Sequence, residues 1–291
     1  MLAAYSIIHQ VTRQNLCTKP PMIGVFDSGY GGLTVLKEFL KELPEYDYMY
    51  LGDNARAPYG NRSMETLISF GEQAVEYLFS QGCTLIIVAC NTASSTVLRH
   101  LQEKYLRTPH VTEKKILGVI KPLAEEAIRQ SENKQIGVVG TNSTINAKAY
   151  EIELKNLDPK VKVFSQACPL LVPLIEEHWH KKPETRSILK KYLRSLKSTN
   201  LDTLILGCTH YPFLYKEFSQ IMGKKVNVLK TGEIVARSLK DYLTRHPEIE
   251  NRLTRNQKRV FLTTDDPEKF KKLGGEFLQQ PIKNIKFHYR S

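Results

Sequence analysis

The sequence lacks the cysteine arrangements that mark a metal site or a disulfide framework. Its cysteines are odd in number and widely scattered, with neither CxxC nor Cys/His ligand spacing. We therefore expect no bound metal and a reducing, cytoplasmic environment. The cysteines are Cys17, Cys83, Cys90, Cys168 and Cys208.

Long apolar runs are also missing. No segment approaches the roughly 20 apolar residues that cross a membrane. The short apolar stretch at residues 2–8 has no basic residue before it and no small-residue cleavage site after it, so a signal peptide is not expected. We accordingly expect no membrane partner.

The usual cofactor motifs are absent as well. The stretch FDSGYGG, which begins at Phe26, lacks the Gly-Lys-Ser/Thr ending of a phosphate-binding loop and does not match GxGxxG. It also places Asp27 where a bound anion would sit, and a plain turn with a helix N-cap is the alternative interpretation. For pyridoxal phosphate, Lys121 is the only candidate Schiff-base lysine that we considered. We expect no metal, pyridoxal or nucleotide cofactor.

The chain has an excess of positive charge. Its formal net charge is +12, from 42 basic and 30 acidic side chains, which is compatible with an anionic partner or simply with solubility. The densest basic stretch, at residues 180–197, also carries apolar residues at helical spacing. This pattern predicts an amphipathic helix with a solvated basic face, and a binding surface is the alternative.

Apolar runs and helical patterns alternate along the chain, whose 291 residues suggest about two domains. This alternation predicts parallel sheets with helices on their faces, in which ligands bind at the carboxyl ends of the strands. Strands are predicted at 22–26, 48–51, 85–89, 116–120, 136–139, 161–164, 204–206 and 225–229, and helices at 33–43, 63–81 and 144–157.

Two short pieces of the first half recur in the second. The tripeptide Ile-Gly-Val that begins at Ile23 returns at Ile136, and Thr-Leu-Ile before Cys90 returns before Cys208. Two matches in the same order favour a duplication, although parallel α/β chains share such short runs by chance. A duplicated fold would bring both strand ends into one cleft, with the two cysteines facing each other.

Cys90 and Cys208 each follow a predicted strand and precede polar side chains. A buried cysteine is usually an inert small hydrophobe, but here each thiol lies where a strand opens towards a ligand and a helix begins. Helix N-terminal amides there are expected to lower the thiol pKa. One reactive thiol would suggest a nucleophile, as in cysteine hydrolases. Two equivalent thiols suggest racemisation, which needs a base and an acid on opposite faces of Cα.

Six long motifs, in order, carry a resemblance to a known family. The chain closely resembles the glutamate racemases of the aspartate/glutamate racemase superfamily, from about residue 22 to about residue 239. The motifs are IGVFDSGYGGLTVL from Ile23, YLGDNARAPYGNRS from Tyr50, VACNTAS from Val88, VVGTNSTI from Val138, CPLLVPLIE from Cys168 and LILGCTHYPFL from Leu204.

The resemblance implies two pseudo-symmetric parallel-sheet α/β domains, with the active site in the cleft between them and the second domain inserted in the first. We expect the first domain at 22–112 and 230–291, the second at 113–229, and an N-terminal extension at 1–21. The Lys-Thr pair at 230–231 departs from the Asp-Ser pair of the family, which affects our expectation of local packing more than that of catalysis.

The resemblance also implies roles for individual residues. Cys90 would act on the D-enantiomer and Cys208 on the L-enantiomer. Asp27 would lie near Cys90, and His210, supported by Glu176, near Cys208, where these groups would assist proton transfer. The implied substrate-binding residues are Asp27, Ser28, Tyr59, Gly60, Asn91, Thr92, Thr141, Thr144, Thr209 and His210.

The substrate expectation depends mainly on His210, since aspartate racemases typically have a glutamate at that position. The implied activity is the cofactor-independent conversion of L-glutamate to D-glutamate for peptidoglycan synthesis, by a cytoplasmic homodimer or monomer. The alternatives are a racemase of another amino acid such as aspartate, or a basic-surface binding role such as DNA gyrase inhibition. We do not expect a nucleic-acid partner, because only the net charge supports one.

Overall fold

The structure is a computed structural model that describes residues 19–106, 114–283 and 285–287. The apolar stretch at 2–8 and most of the expected N-terminal extension lie outside these residues. The strands are β1 (Met22–Asp27), β2 (Tyr48–Gly52), β3 (Cys83–Val88), β4 (Lys115–Gly118), β5 (Gln135–Gly140), β6 (Lys162–Ala167), β7 (Thr203–Gly207), β8 (Asn227–Val228), β9 (Arg259–Thr263) and β10 (Ile285–Phe287). The helices are α1 (Leu33–Glu42), α2 (Met64–Ser80), α3 (Asn91–Thr96), α4 (Leu98–Leu106), α5 (Ile120–Gln130), α6 (Asn142–Asn146), α7 (Ala149–Leu157), α8 (Leu171–Glu176), α9 (Pro183–Lys197), α10 (Tyr215–Met222), α11 (Thr231–Arg245), α12 (Pro247–Glu250) and α13 (Pro267–Leu278).

The described strands form two sheets in which every pairing is parallel. The first sheet has the order β10-β9-β2-β1-β3-β4, and the second has the order β6-β5-β7-β8. Apolar side chains of the strands pack against the helices that cover them, as in Ile23, Leu85, Ile136 and Leu204, which are fully buried. The predicted α/β fold with parallel sheets is confirmed.

Four strands of the first sheet follow the same order as the four strands of the second. In the first, β1 lies between β2 and β3 with β4 beyond, and in the second, β5 lies between β6 and β7 with β8 beyond. The recurring tripeptides therefore occupy corresponding strands, β1 with β5 and β3 with β7. This correspondence supports the duplication over chance similarity. Since Cys90 and Cys208 follow β3 and β7, they occupy equivalent positions in the two halves.

The sheet topology bears on one expected boundary. The second domain was expected to begin at residue 113, but β4 pairs with β3 in the first sheet, with Val88 opposite Gly118. The chain therefore crosses to the second sheet only after Gly118. The strands β9 and β10 return to the first sheet beside β2, and the division into two domains stays a prediction.

Some elements differ from the sequence expectation. The helix expected at 144–157 is two helices, α6 and α7, because Lys148 between them adopts a left-handed conformation with φ 53°. The strand expected at 225–229 is only two residues long, and β9 and β10 were not predicted. No helix in the described part of the chain is long and apolar enough to cross a membrane.

The basic stretch forms the amphipathic helix α9. Pro183 is at its first turn, where the missing N–H costs nothing. Its buried side chains include Leu189, Leu193 and Leu196, each of which contributes about 1.5 to 3 kcal/mol when removed from water. Arg and Lys side chains occupy the exposed face. The predicted amphipathic helix is confirmed, and the choice between a solvated face and a binding surface stays a prediction.

Candidate active site

A small cavity of about 30 Å³ lies where the carboxyl ends of the two sheets meet. It contains both thiols, although their positions in the chain are far apart. All the site residues predicted from the sequence line it except Asp27 and Thr144, which are buried directly behind. The lining residues are Ser28, Gly29, Ala57, Pro58, Tyr59, Gly60, Cys90, Asn91, Thr92, Thr141, Val172, Glu176, Cys208, Thr209 and His210.

Cys90 is the N-cap residue of α3, two residues after the end of β3 at Val88. Its sulfur accepts a hydrogen bond from the backbone N–H of Ala93 at 3.5 Å, and its thiol donates to Ser28 Oγ at 3.5 Å. Burial nevertheless raises the pKa of Cys90 to about 12, and the nearby charge of Asp27 adds to the effect. The expected lowering by helix amides is wrong in its net direction here, because desolvation of the thiolate outweighs it.

Cys208 follows β7 and has a different neighbour. Its Sγ lies 3.9 Å from Nδ1 of His210, whose Nε2 donates to Oε1 of Glu176 at 2.9 Å. Burial lowers the pKa of His210, but the hydrogen bonds to Cys208 and Glu176 outweigh burial and raise the pKa to about 10. These contacts favour the protonated imidazole, which carries a positive charge beside the sulfur.

Asp27 ends β1 and is completely buried. Its Oδ2 accepts from the backbone N–H of Gly29 at 3.0 Å, and its Oδ1 accepts from Thr209 Oγ1 at 3.4 Å. Burial raises the pKa of Asp27, while the charge of His210 and these hydrogen bonds oppose the rise. The carboxyl group thus connects the strand end of the first sheet with the turn after Cys208.

Three threonine hydroxyls form a buried cluster across the cleft. Thr92 Oγ1 is hydrogen-bonded to Thr141 Oγ1 at 3.0 Å and to Thr144 Oγ1 at 3.3 Å. Thr141 also caps α6 by accepting from the N–H of Thr144 at 3.2 Å. Since Thr92 follows the first sheet and the other two follow β5, the cluster joins the two halves beside the thiols.

Close approach of the halves depends on glycine at two positions. A Cβ atom on Gly31 would stand 2.2 Å from Thr209 Oγ1, and one on Gly60 would stand 2.7 Å from Thr141 Cβ. The carbonyl of Gly60 also accepts from Ser143 Oγ at 2.9 Å. Only glycine permits these contacts without displacing the opposite wall.

Tyr59 lines the cavity, but its hydroxyl is engaged elsewhere. It donates to Oδ2 of Asp53, a completely buried carboxylate that also accepts from Arg56 Nε at 2.6 Å and from Thr264 Oγ1 at 2.9 Å. The hydroxyl therefore supports the wall of the cleft. Asp53 was missed among the candidate residues, although it stands within one of the quoted motifs.

Tyr150 was also missed. Its hydroxyl donates to Oδ1 of Asn91 at 2.6 Å from within α7, which carried no motif pointing to the site. Lys121, the lysine considered for pyridoxal, lies on α5 outside the cavity, with its Nζ 3.9 Å from Glu125. Within the described residues, no group of three or more His, Cys, Asp or Glu side chains is arranged to hold a metal ion.

The chain matches the family model for Asp/Glu/hydantoin racemases over residues 23–239. It is 39% identical to the glutamate racemase of Bacillus cereus over 267 residues, which are 92% of this chain and 96% of that protein. The crystal structure of a glutamate racemase from Bacillus anthracis superposes with a TM-score of 0.85 at 36% identity, covering 93% of this chain and 98% of that one. The glutamate racemase from Francisella tularensis, solved with D-glutamate, has a TM-score of 0.83 at 32% identity, with the same coverage. The chain therefore belongs to the Asp/Glu/hydantoin racemase family, which confirms the resemblance carried by its sequence motifs.

Proposed function

We propose that this protein racemises glutamate by moving a proton between Cys90 and Cys208. The observation that carries the proposal is that two thiols from equivalent strand ends of two similar sheets line one small cavity. A base and an acid on opposite faces of one carbon are what racemisation needs. The resemblance to glutamate racemases supports the choice of substrate.

The proposed reaction proceeds in two proton transfers. The thiolate of one cysteine takes the α-proton as the Cα–H bond breaks, and the electron pair stays on a flattened carbanion. The thiol of the other cysteine then gives its proton to the opposite face. Each turnover leaves the first cysteine protonated and the second ionised, which prepares the site for the reverse direction. Cys90 is assigned to the D-enantiomer and Cys208 to the L-enantiomer.

The two sides of the site are chemically unequal. A raised pKa makes the Cys90 thiolate a stronger base towards the weakly acidic Cα–H bond, at the expense of its population at neutral pH. On the other side, the His210 imidazolium places a positive charge beside the Cys208 sulfur. Asp27 and His210, with Glu176, are therefore the proposed assistants of proton transfer.

Polar groups around the thiols are suited to a dicarboxylic amino acid. We assign substrate binding to Ser28, Asn91, Thr92, Thr141 and Thr209, which line the cavity, with Thr144 and Asp27 behind them. Hydrogen-bond donors of this kind hold the substrate carboxylates, and with them Cα, in position between the two thiols. The chemistry proposed for these residues needs no cofactor.

The proposed product is D-glutamate for peptidoglycan synthesis in the cytoplasm, made by a monomer or homodimer. The basic face of α9 is the surface that a nucleic acid would use, and only charge points to such a partner. We therefore propose no second function.

The test of the proposed function is a comparison of two substrates. The protein is incubated separately with L-glutamate and L-aspartate, and the circular dichroism signal of the amino acid is followed over time. Complete loss of the signal with L-glutamate, and little change with L-aspartate, is expected. Faster racemisation of L-aspartate would show that the substrate has been assigned wrongly, and loss of signal with neither would refute the proposed function.

A further inference from the structure

Tyr150 contacts the segments that carry both thiols. It lies on α7 with 2% of its surface exposed, and its hydroxyl donates to Oδ1 of Asn91, the residue after Cys90, at 2.6 Å. Its ring lies against Gly207, the residue before Cys208, so closely that a Cβ there would stand 3.1 Å from Tyr150 Cε2. One side chain thus spans the two turns that place the thiols.

The side-chain amide of Asn91 uses only one of its two polar atoms in a hydrogen bond within the described residues. It lines the cavity and is 3% exposed. Its Oδ1 accepts from Tyr150, whereas its Nδ2 is buried and has no hydrogen-bond partner in the part of the chain that the structure describes. A buried amide N–H without a partner is unfavourable, and a ligand carboxylate in the cavity would satisfy it.

The direction of the Tyr150 hydrogen bond decides how the amide faces. Burial raises the pKa of Tyr150 far above its ordinary value, and the nearby Cys208 adds to this, so the hydroxyl keeps its proton and can donate. When it donates to Oδ1, the amide nitrogen is the atom left to meet a ligand. Without this bond the Asn91 amide can rotate so that its oxygen faces the cavity, and that oxygen would then repel a carboxylate.

We propose that Tyr150 is a positioning residue, which holds the Asn91 carboxamide with its N–H groups ready for a substrate carboxylate. This inference rests on the proposed racemisation of glutamate and adds a residue to that site. It also makes the Asn91 donor dependent on contact between the two halves, because Asn91 follows the first sheet and Tyr150 lies on a helix that follows β5 of the second.

The test compares Tyr150→Phe with the matched variant Tyr48→Phe. Tyr48 is also fully buried, and its hydroxyl donates to the carbonyl of Leu43 at 3.0 Å, away from the cavity. For Tyr150→Phe, we expect the KM for L-glutamate to rise about tenfold, as for loss of one aligned hydrogen bond, with kcat within about twofold of wild type. Tyr48→Phe should leave both constants at the wild-type values.

A double-mutant cycle with Asn91→Ala separates positioning from packing. If Tyr150 acts through the Asn91 amide, Tyr150→Phe should have no further effect on KM in the Asn91→Ala background. A general packing defect would instead add to the effect of Asn91→Ala, and the cycle therefore decides even if Tyr150→Phe lowers the melting temperature.

The outcomes distinguish this inference from the proposed function. An unchanged KM in Tyr150→Phe, or an additive effect in the double variant, would overturn the role of Tyr150 while wild-type racemisation of glutamate still stands. Failure of the wild-type protein to racemise glutamate would remove the proposed function itself.

Discussion

The Sγ atom of Cys208 lies 3.9 Å from Nδ1 of His210, and no equivalent imidazole accompanies Cys90 in the described cavity. The residue whose charge acts on Cys90 is the buried carboxyl group of Asp27. The two thiols therefore occupy equivalent places in the duplicated fold but differ in the ionisable group beside them, a carboxyl at Cys90 and an imidazole at Cys208. This difference allows the two proton-transfer steps to be examined separately by substitution.

Replacing either thiol should stop racemisation in both directions. Cys90→Ala and Cys208→Ala are each expected to lower kcat by at least about 10³-fold, since one proton-transfer group is lost in each case. In D₂O, Cys208→Ala is expected to retain some α-proton exchange from D-glutamate only, and Cys90→Ala from L-glutamate only, measured by NMR. Cys83→Ala is the matched control, because Cys83 is buried but does not line the cavity. Full activity in either alanine variant would rule out the two-thiol mechanism.

The hydrogen bonds of His210 to Cys208 and Glu176 should make stability depend on pH. The folded pKa of His210 is raised from 6.5 to about 10, so its contribution is complete below 6.5 and is lost as the pH rises through about 10. Glu176→Gln should lower the free energy of unfolding by about 1 to 2 kcal/mol at pH 7 and reduce this pH dependence, measured by urea denaturation, while the contact with Cys208 remains. Glu177→Gln, which changes the exposed residue next to Glu176, should alter neither the free energy of unfolding nor its pH dependence. An identical pH profile in Glu176→Gln and wild type would contradict the assignment.

A side chain at position 31 should separate the halves of the site. In Gly31→Ala, the new Cβ would stand 2.2 Å from Thr209 Oγ1 and 2.6 Å from His210 Nδ1. We expect kcat/KM to fall by at least about tenfold, since small misplacements of catalytic groups are costly. Gly275→Ala on α13 is the control, because the Cβ there would meet only Gln280 O at 3.4 Å. Wild-type kcat/KM in Gly31→Ala would mean that the cleft accommodates the methyl group at no cost.

Asp53 should contribute to stability through the wall of the cleft. Its carboxylate is completely buried and binds Arg56, Tyr59 and Thr264. Asp53→Ala leaves the largely buried Arg56 cation without this partner and should cost about 3 to 5 kcal/mol of unfolding free energy. Tyr59→Phe removes one hydrogen bond and should cost about 1 kcal/mol. Equal losses in the two variants, measured by urea denaturation, would show that the charge of Asp53 contributes nothing beyond its bond to Tyr59.

The thiols could be predicted from the sequence because each follows a local, readable signal, an apolar strand that ends in polar residues. Their pairing followed from the repeat, which the common strand order supports. Tyr150 could not be found in this way, because its role depends on a contact with Asn91 that is 59 positions away in the chain. The upward shift of the Cys90 pKa depends on burial by distant segments, which a helix N-cap does not reveal.

The strands β9 and β10 were missed for a similar reason. Their runs are short, and they become strands by adding to an edge of the sheet at β2, far back in the sequence. The break between α6 and α7 arises at Lys148, which has a positive φ. Lysine seldom adopts this conformation, so its presence in the sequence does not predict the break.

The contact of Gly31 with Thr209 restricts how this protein can vary over evolutionary time. The turn beside Asp27 and the turn beside Cys208 fit each other with no space for a methyl group, and Thr209 is also hydrogen-bonded to Asp27. A larger residue at position 31 requires a smaller residue at position 209, which would remove the hydrogen bond to Asp27, and also a shift of the His210 ring, which lies 2.6 Å from the same Cβ position. A substitution on one side of the cleft therefore requires a matching substitution on the other side, although the two halves share the same topology.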